Sequence, residues 1–108
     1  MKFLEKLLYD PVLVCLLERT RNGSVVWEKN ENSDYTMTDG GMEFTLTDHW
    51  SYLDHMVYLT GMDLETREKV YYKRRGASAL YNLISEIDYA PIDARRTARV
   101  NKYLQENC

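Results

Sequence analysis

The chain has 108 residues, 44% of them apolar and 29% charged, with a formal net charge of −3. That length supports a single domain over residues 1–108 and is short for two hydrophobic cores. Two prolines and five glycines exclude collagen-like and Pro/Gly-rich disorder, and the apolar share is too high for a chain kept unfolded by its charge.

Residues 1–20 read as helix. Phe3, Leu4, Leu7 and Leu8 share one stripe of a 3.6-residue period, and Val12, Leu13, Leu16 and Leu17 repeat it. Between them Asp10-Pro11 supplies a capping carboxylate followed by proline at the first helical position, so either two short helices or one kinked helix is expected. The helix should end at Asn22-Gly23, where glycine takes a left-handed conformation. The period then changes to two. A strand is expected around Val25 and Trp27, followed by a turn at Asn30-Glu-Asn-Ser33. Tyr35–Thr38 and Met42–Thr47 flank Asp39-Gly40-Gly41, a hairpin signal, and Met42, Phe44 and Leu46 alternate with Glu43, Thr45 and Thr47. Asp48 to Asp54 reads as a loop or helical turn. His55–Thr60 and Glu68–Lys73 then form a second hairpin across Gly61–Arg67. Ala79, Leu80, Leu83, Ile84 and Ile87 return to a helical stripe with Ser78 as its cap. Ala90-Pro91 punctuates, and Ile92, Arg96, Val100, Tyr103 and Leu104 indicate more helix. The fold class is α+β: an N-terminal helix, an antiparallel meander of four or five strands, and one or two C-terminal helices covering one face.

Two cysteines are too few for a disulfide framework, which points to a reducing, cytoplasmic setting. Cys15 reads as a small buried hydrophobe and Cys108 as an exposed thiol. The longest apolar run, Val12 to Leu17, has six residues, far below the roughly 20 of a membrane-spanning helix. Charges in Met1-Lys-Phe-Leu-Glu-Lys6 stand where a signal peptide carries its apolar centre, so no membrane association is expected.

Catalytic motifs are missing from the sequence. No glycine-rich phosphate loop and no Gly-x-Ser-x-Gly elbow occurs, and no cofactor is expected. Asp48-His49 and Asp54-His55 bring four donors within eight residues. Strand ends and turns account for them as simply as a metal site does, and no metal is expected. Charge and tyrosine are more informative. Residues 28 to 65 carry nine acidic side chains against one basic, whereas residues 67 to 108 carry nine basic against five acidic. Nine tyrosines against two phenylalanines suit a surface that is wet when free and buried when bound. The reading that follows is a non-enzymatic protein-interaction domain that meets a basic partner surface through Glu43, Asp48, Trp50, Tyr52, Asp54 and Tyr58. Arg74, Arg75, Arg95, Arg96 and Arg99 offer an alternative as a small anion- or nucleotide-binding site. A pI near 5.4 disfavours nucleic acid, and an unpaired edge strand offers a homodimer.

Thr20-x-x-Gly23-x-x-x-Trp27 resembles a recurring opening in small uncharacterised bacterial and phage-type domains of helix, β-meander, helix order. The resemblance spans the first third of the chain and implies that order of elements without an activity. In size and charge the chain is also similar to phage-encoded inhibitors of bacterial defence systems, which would make it an inhibitor or adaptor.

Overall fold

The computed structural model describes residues 10–108; the expected stripe of Phe3, Leu4, Leu7 and Leu8, and the kink before Pro11, lie outside them. Helix α1 (Pro11–Arg21) leads into strands β1 (Glu28–Lys29), β2 (Tyr35–Asp39), β3 (Met42–Trp50), β4 (His55–Asp63) and β5 (Lys69–Lys73), and helix α2 (Ala77–Asn107) follows. The strands form one antiparallel sheet in sequence order, so each pairs with its chain neighbour. No helix among the described residues is long and apolar enough to cross a membrane.

Helix α1 starts as its sequence dictates. One Asp10 carboxylate oxygen accepts the Leu13 amide at 2.8 Å, and proline occupies the first turn, where its missing N–H is harmless. The other oxygen accepts the Tyr71 hydroxyl at 2.7 Å, which fixes this end of the helix to β5. The far end is fixed by the Arg19–Asp39 ion pair at the end of β2. Gly23, at a φ of 79°, then turns the chain back. Buried Thr20 donates to the Leu16 carbonyl at 2.6 Å and accepts from the Trp27 indole at 3.0 Å. Thr20, Gly23 and Trp27 therefore form the junction between α1 and the sheet. Cys15 is exposed, contrary to expectation, because at 100° per residue it lies opposite the buried arc of Leu13, Leu16, Leu17 and Thr20.

Strand β1 begins later than expected, at Glu28; Val25 and Trp27 are buried ahead of the ladder. The β2–β3 turn uses Gly40 and Gly41 at φ of 58° and 77°, the paired positive values that a two-residue hairpin requires. Asp48–Trp50 is strand, not the expected loop or helical turn, because Asp48, His49 and Trp50 pair with Val57, Met56 and His55. Strand β4 runs on to Asp63, past the expected end at Thr60, with a bulge at Gly61/Met62.

Alternation sets the core. Tyr35, Met37, Phe44, Leu46 and Leu59 face one side and meet Leu13, Leu16 and Leu17 of α1 and Ala77, Leu80 and Ile84 of α2. Gly61 lies between Phe44 and Tyr71 in the ladder, and a Cβ there would stand 3.0 Å from Met42 Cε and 3.1 Å from both Phe44 Cε1 and Tyr71 Cβ. Met42 can swing aside, but Tyr71 Cβ is fixed to its backbone. Gly61→Ala is therefore expected to cost about 1–2 kcal/mol, read as a lower urea midpoint at unchanged m-value.

One expectation for the last third is corrected and another, one or two C-terminal helices, is narrowed to one. Gly76, not Ser78, caps α2: its φ of 85° turns the chain after Arg74 and Arg75, and no side chain caps the helix. The helix also runs through Pro91 without a break, giving one C-terminal helix of 31 residues. Proline removes the bond to the Ile87 carbonyl and crowds that carbonyl with its ring, a cost of about 3 kcal/mol in a helix interior. Residues 86–91 are exposed, so water can take the place of the lost donor.

Candidate functional site

The β3–β4 hairpin ends in a four-residue turn between Trp50 and His55. Inside it Ser51 N donates to the Asp54 carbonyl at 2.7 Å, and the Ser51 hydroxyl accepts the Asp54 amide at 3.0 Å. The turn thus closes on itself and leaves its large side chains to solvent. Trp50 is 69% exposed, Leu53 89% and Tyr52 fully exposed.

Three interactions hold this tip. The Trp50 indole stacks on the His55 ring at 3.7 Å and an 8° interplanar angle, His55 Nε2 meets the Asp48 carboxylate, and Arg74 Nη2 reaches Asp54 Oδ2 at 3.2 Å. Asp48 projects onto the helix-covered face, as do Leu46 and Val57. There it lies near the Tyr81 hydroxyl of α2, and burial, followed by the Asp48 charge, pushes the Tyr81 phenol up to about 12. Burial and, second, the Asp48 charge also raise the Asp34 carboxyl. Tyr35 packs edge-on to Tyr81 at 5.4 Å, and burial raises its phenol. Burial, with the bond to Asp10, raises Tyr71.

These tyrosines set a pH dependence. A phenol that holds its proton more tightly when folded contributes stability that is complete below pH about 10 and is lost as the pH rises through the folded-state value. The melting temperature is therefore expected to fall between pH 9.5 and 11, and Tyr81→Phe to make that fall shallower, as followed by circular dichroism.

The six residues expected to form one binding surface divide by strand parity. Glu43 and Tyr58 lie on the uncovered face of the sheet, Asp48 and Trp50 on the helix side, and Tyr52 and Asp54 in the turn. The acidic side chains are likewise dispersed, with Asp39, Asp48 and Asp54 each engaged by Arg19, His55 and Arg74. On the uncovered face Tyr58 and Tyr72 form a tilted aromatic pair at 5.6 Å. His49 points to that face too, away from His55, and no metal-holding group of three His, Cys, Asp or Glu side chains occurs among the described residues. Of the basic residues, Arg74 and Arg75 precede α2 whereas Arg95, Arg96 and Arg99 lie about 30 Å along it at 1.5 Å per residue. They form two surfaces rather than one anion site.

Leu53 and the role of His55 were not recognised from the sequence. The available signal was Trp50-Ser-Tyr-Leu53, which places three large apolar side chains within four residues of a turn. Comparison with protein-family models, with curated proteins and with solved structures finds no match to the chain.

Proposed function

We propose that the chain is a protein-interaction domain, an inhibitor or adaptor in type, that inserts the β3–β4 tip into an apolar cleft of a partner. The observation that carries this reading is the exposure of Trp50, Tyr52 and Leu53 on a turn whose backbone is hydrogen-bonded to itself. Large apolar side chains on a closed turn lose little freedom on binding, so most of the free energy of burying them remains available. Aromatic anchors in a dry centre are also the usual source of interface affinity. The acidic excess of residues 28–65 favours a partner whose cleft has a positively charged rim.

Affinity capture from the native host tests this, with the unmodified chain and a Tyr52→Ala/Leu53→Ala variant as parallel baits. The proposal expects a retained protein that the variant loses. Equal retention by both baits would place the interface elsewhere.

A further inference from the structure

The second half of α2 carries a stripe that the core of the described residues does not use. Ala77, Leu80 and Ile84 face the core, but every residue from Asp93 to Asn107 is exposed. At 100° per residue Tyr89, Ile92, Arg96, Val100 and Tyr103 fall within an arc of about 80°, centred roughly 130° round the helix from the core-facing arc. The helix therefore turns a second, partly apolar face away from the sheet; Tyr89, Val100 and Tyr103 are each about half exposed.

The spacing of this stripe is symmetrical. Its steps are three, four, four and three residues, with Arg96 at the centre. We propose that this face pairs antiparallel with the same face of a second copy about a twofold axis at Arg96. Tyr89 then meets Tyr103 of the second copy, and Ile92 meets Val100 of the second copy. A twofold interface has to be self-complementary, and this stripe satisfies that condition with aromatic against aromatic and β-branched against β-branched. The geometry also allows it, because each domain body lies on the side of its helix turned away from the pair. Residues 85–107 of both copies overlap over about 34 Å, which at normal helix separation buries on the order of 1,000 Å² in total. That is near the lower edge of specific interfaces, so a reversible, micromolar dimer is expected. The edge of the sheet is a poorer route to a dimer, since Lys69 and Lys73 bracket β5.

Charge gives the dimer a distinctive signature. Arg95, Arg96 and Arg99 of both copies converge around the axis, and their repulsion falls as salt shortens the Debye length from about 14 Å at 50 mM to about 4 Å at 500 mM. Added salt should therefore tighten this dimer, whereas it would weaken docking to an acidic partner.

Sedimentation velocity on the full chain, from about 5 to 500 μM in 50 and 500 mM NaCl, tests the pairing. The unmodified chain should show a reversible monomer–dimer equilibrium that tightens with salt. Val100→Asp should weaken it at least ~10-fold, and Arg96→Leu should strengthen it by about 10-fold. Adding Ile92→Lys to Val100→Asp should restore part of the loss, because only the antiparallel register sets those two positions opposite each other. All three side chains lie outside the buried core, so the circular dichroism spectrum should stay that of the unmodified chain. A monomer at 500 μM in both salts, a dimer indifferent to Val100→Asp, or one that the added Ile92→Lys weakens further would overturn the proposal.

Discussion

Alanine at Trp50, Tyr52 and Leu53 together is expected to weaken partner binding by more than about 100-fold while moving the melting temperature by less than about 3 °C. The two numbers have one physical origin. In the free domain these side chains are 69%, fully and 89% exposed, so truncating them removes almost no buried surface. In a complex each would leave water, and fully burying a side chain of this size stabilises by about 1.5–3 kcal/mol. Losses at neighbouring hot-spot residues are not additive, which is why the expectation is about 3 kcal/mol rather than the sum of the three. A small stability effect does follow from losing the Trp50–His55 stack. Charge substitutions sharpen the result. Asp54→Lys removes the ion pair with Arg74 at the tip and should weaken binding to a positively rimmed cleft. Glu43→Lys, on the opposite face of the sheet, should leave binding within about twofold. Isothermal titration against the captured partner, with thermal melts of each variant alone, measures both quantities. If the triple variant bound as tightly as the unmodified chain, the tip would not be the site.

The sequence made parts of this arrangement legible because they are local. Gly40 and Gly41 announce a hairpin since few other residues tolerate the positive φ that both adopt, and the alternation of Met42, Phe44 and Leu46 marks the buried side. That alternation, continued two steps, puts Asp48 and Trp50 on the same side and Glu43 opposite, so the division of the expected site was available in the pattern. Other features depend on groups distant in sequence. Asp48, His49 and Trp50 are strand because β4 pairs with them, and nothing within the stretch itself indicates that partner. Asp48 and Asp54 look like free carboxylates until the fold sets His55 and Arg74 beside them. Pro91 reads as punctuation because proline costs about 3 kcal/mol in a helix interior, buried or exposed, yet the helix runs through it with the freed Ile87 carbonyl open to water. The second face of α2 was visible as a weak helical stripe, but only the position of the core showed that it points away from the sheet.

Leu59→Ala should have the opposite profile to a change at Leu53, six residues earlier in the same hairpin. Leu59 is 0% exposed in the centre of β4, where it pairs with Leu46 and with Lys73 and lies in the core beneath α2. Removing its three outer carbons loses their transfer free energy and leaves a cavity that strands fixed by hydrogen bonds on both sides cannot close. A cost of about 3–4 kcal/mol is expected, a large share of the 5–15 kcal/mol that a domain of this size typically has. The melting temperature should fall by roughly 12–30 °C, and the urea midpoint should fall at unchanged m-value. Leu53→Ala, at 89% exposure, should leave both within error. Partner binding inverts the order: at a temperature where both variants are folded, Leu59→Ala should bind as the unmodified chain does and Leu53→Ala should not. That pair of outcomes would assign two leucines of identical chemistry to different tasks. A Leu59→Ala variant with unchanged stability would mean that Leu59 is not part of the packed core.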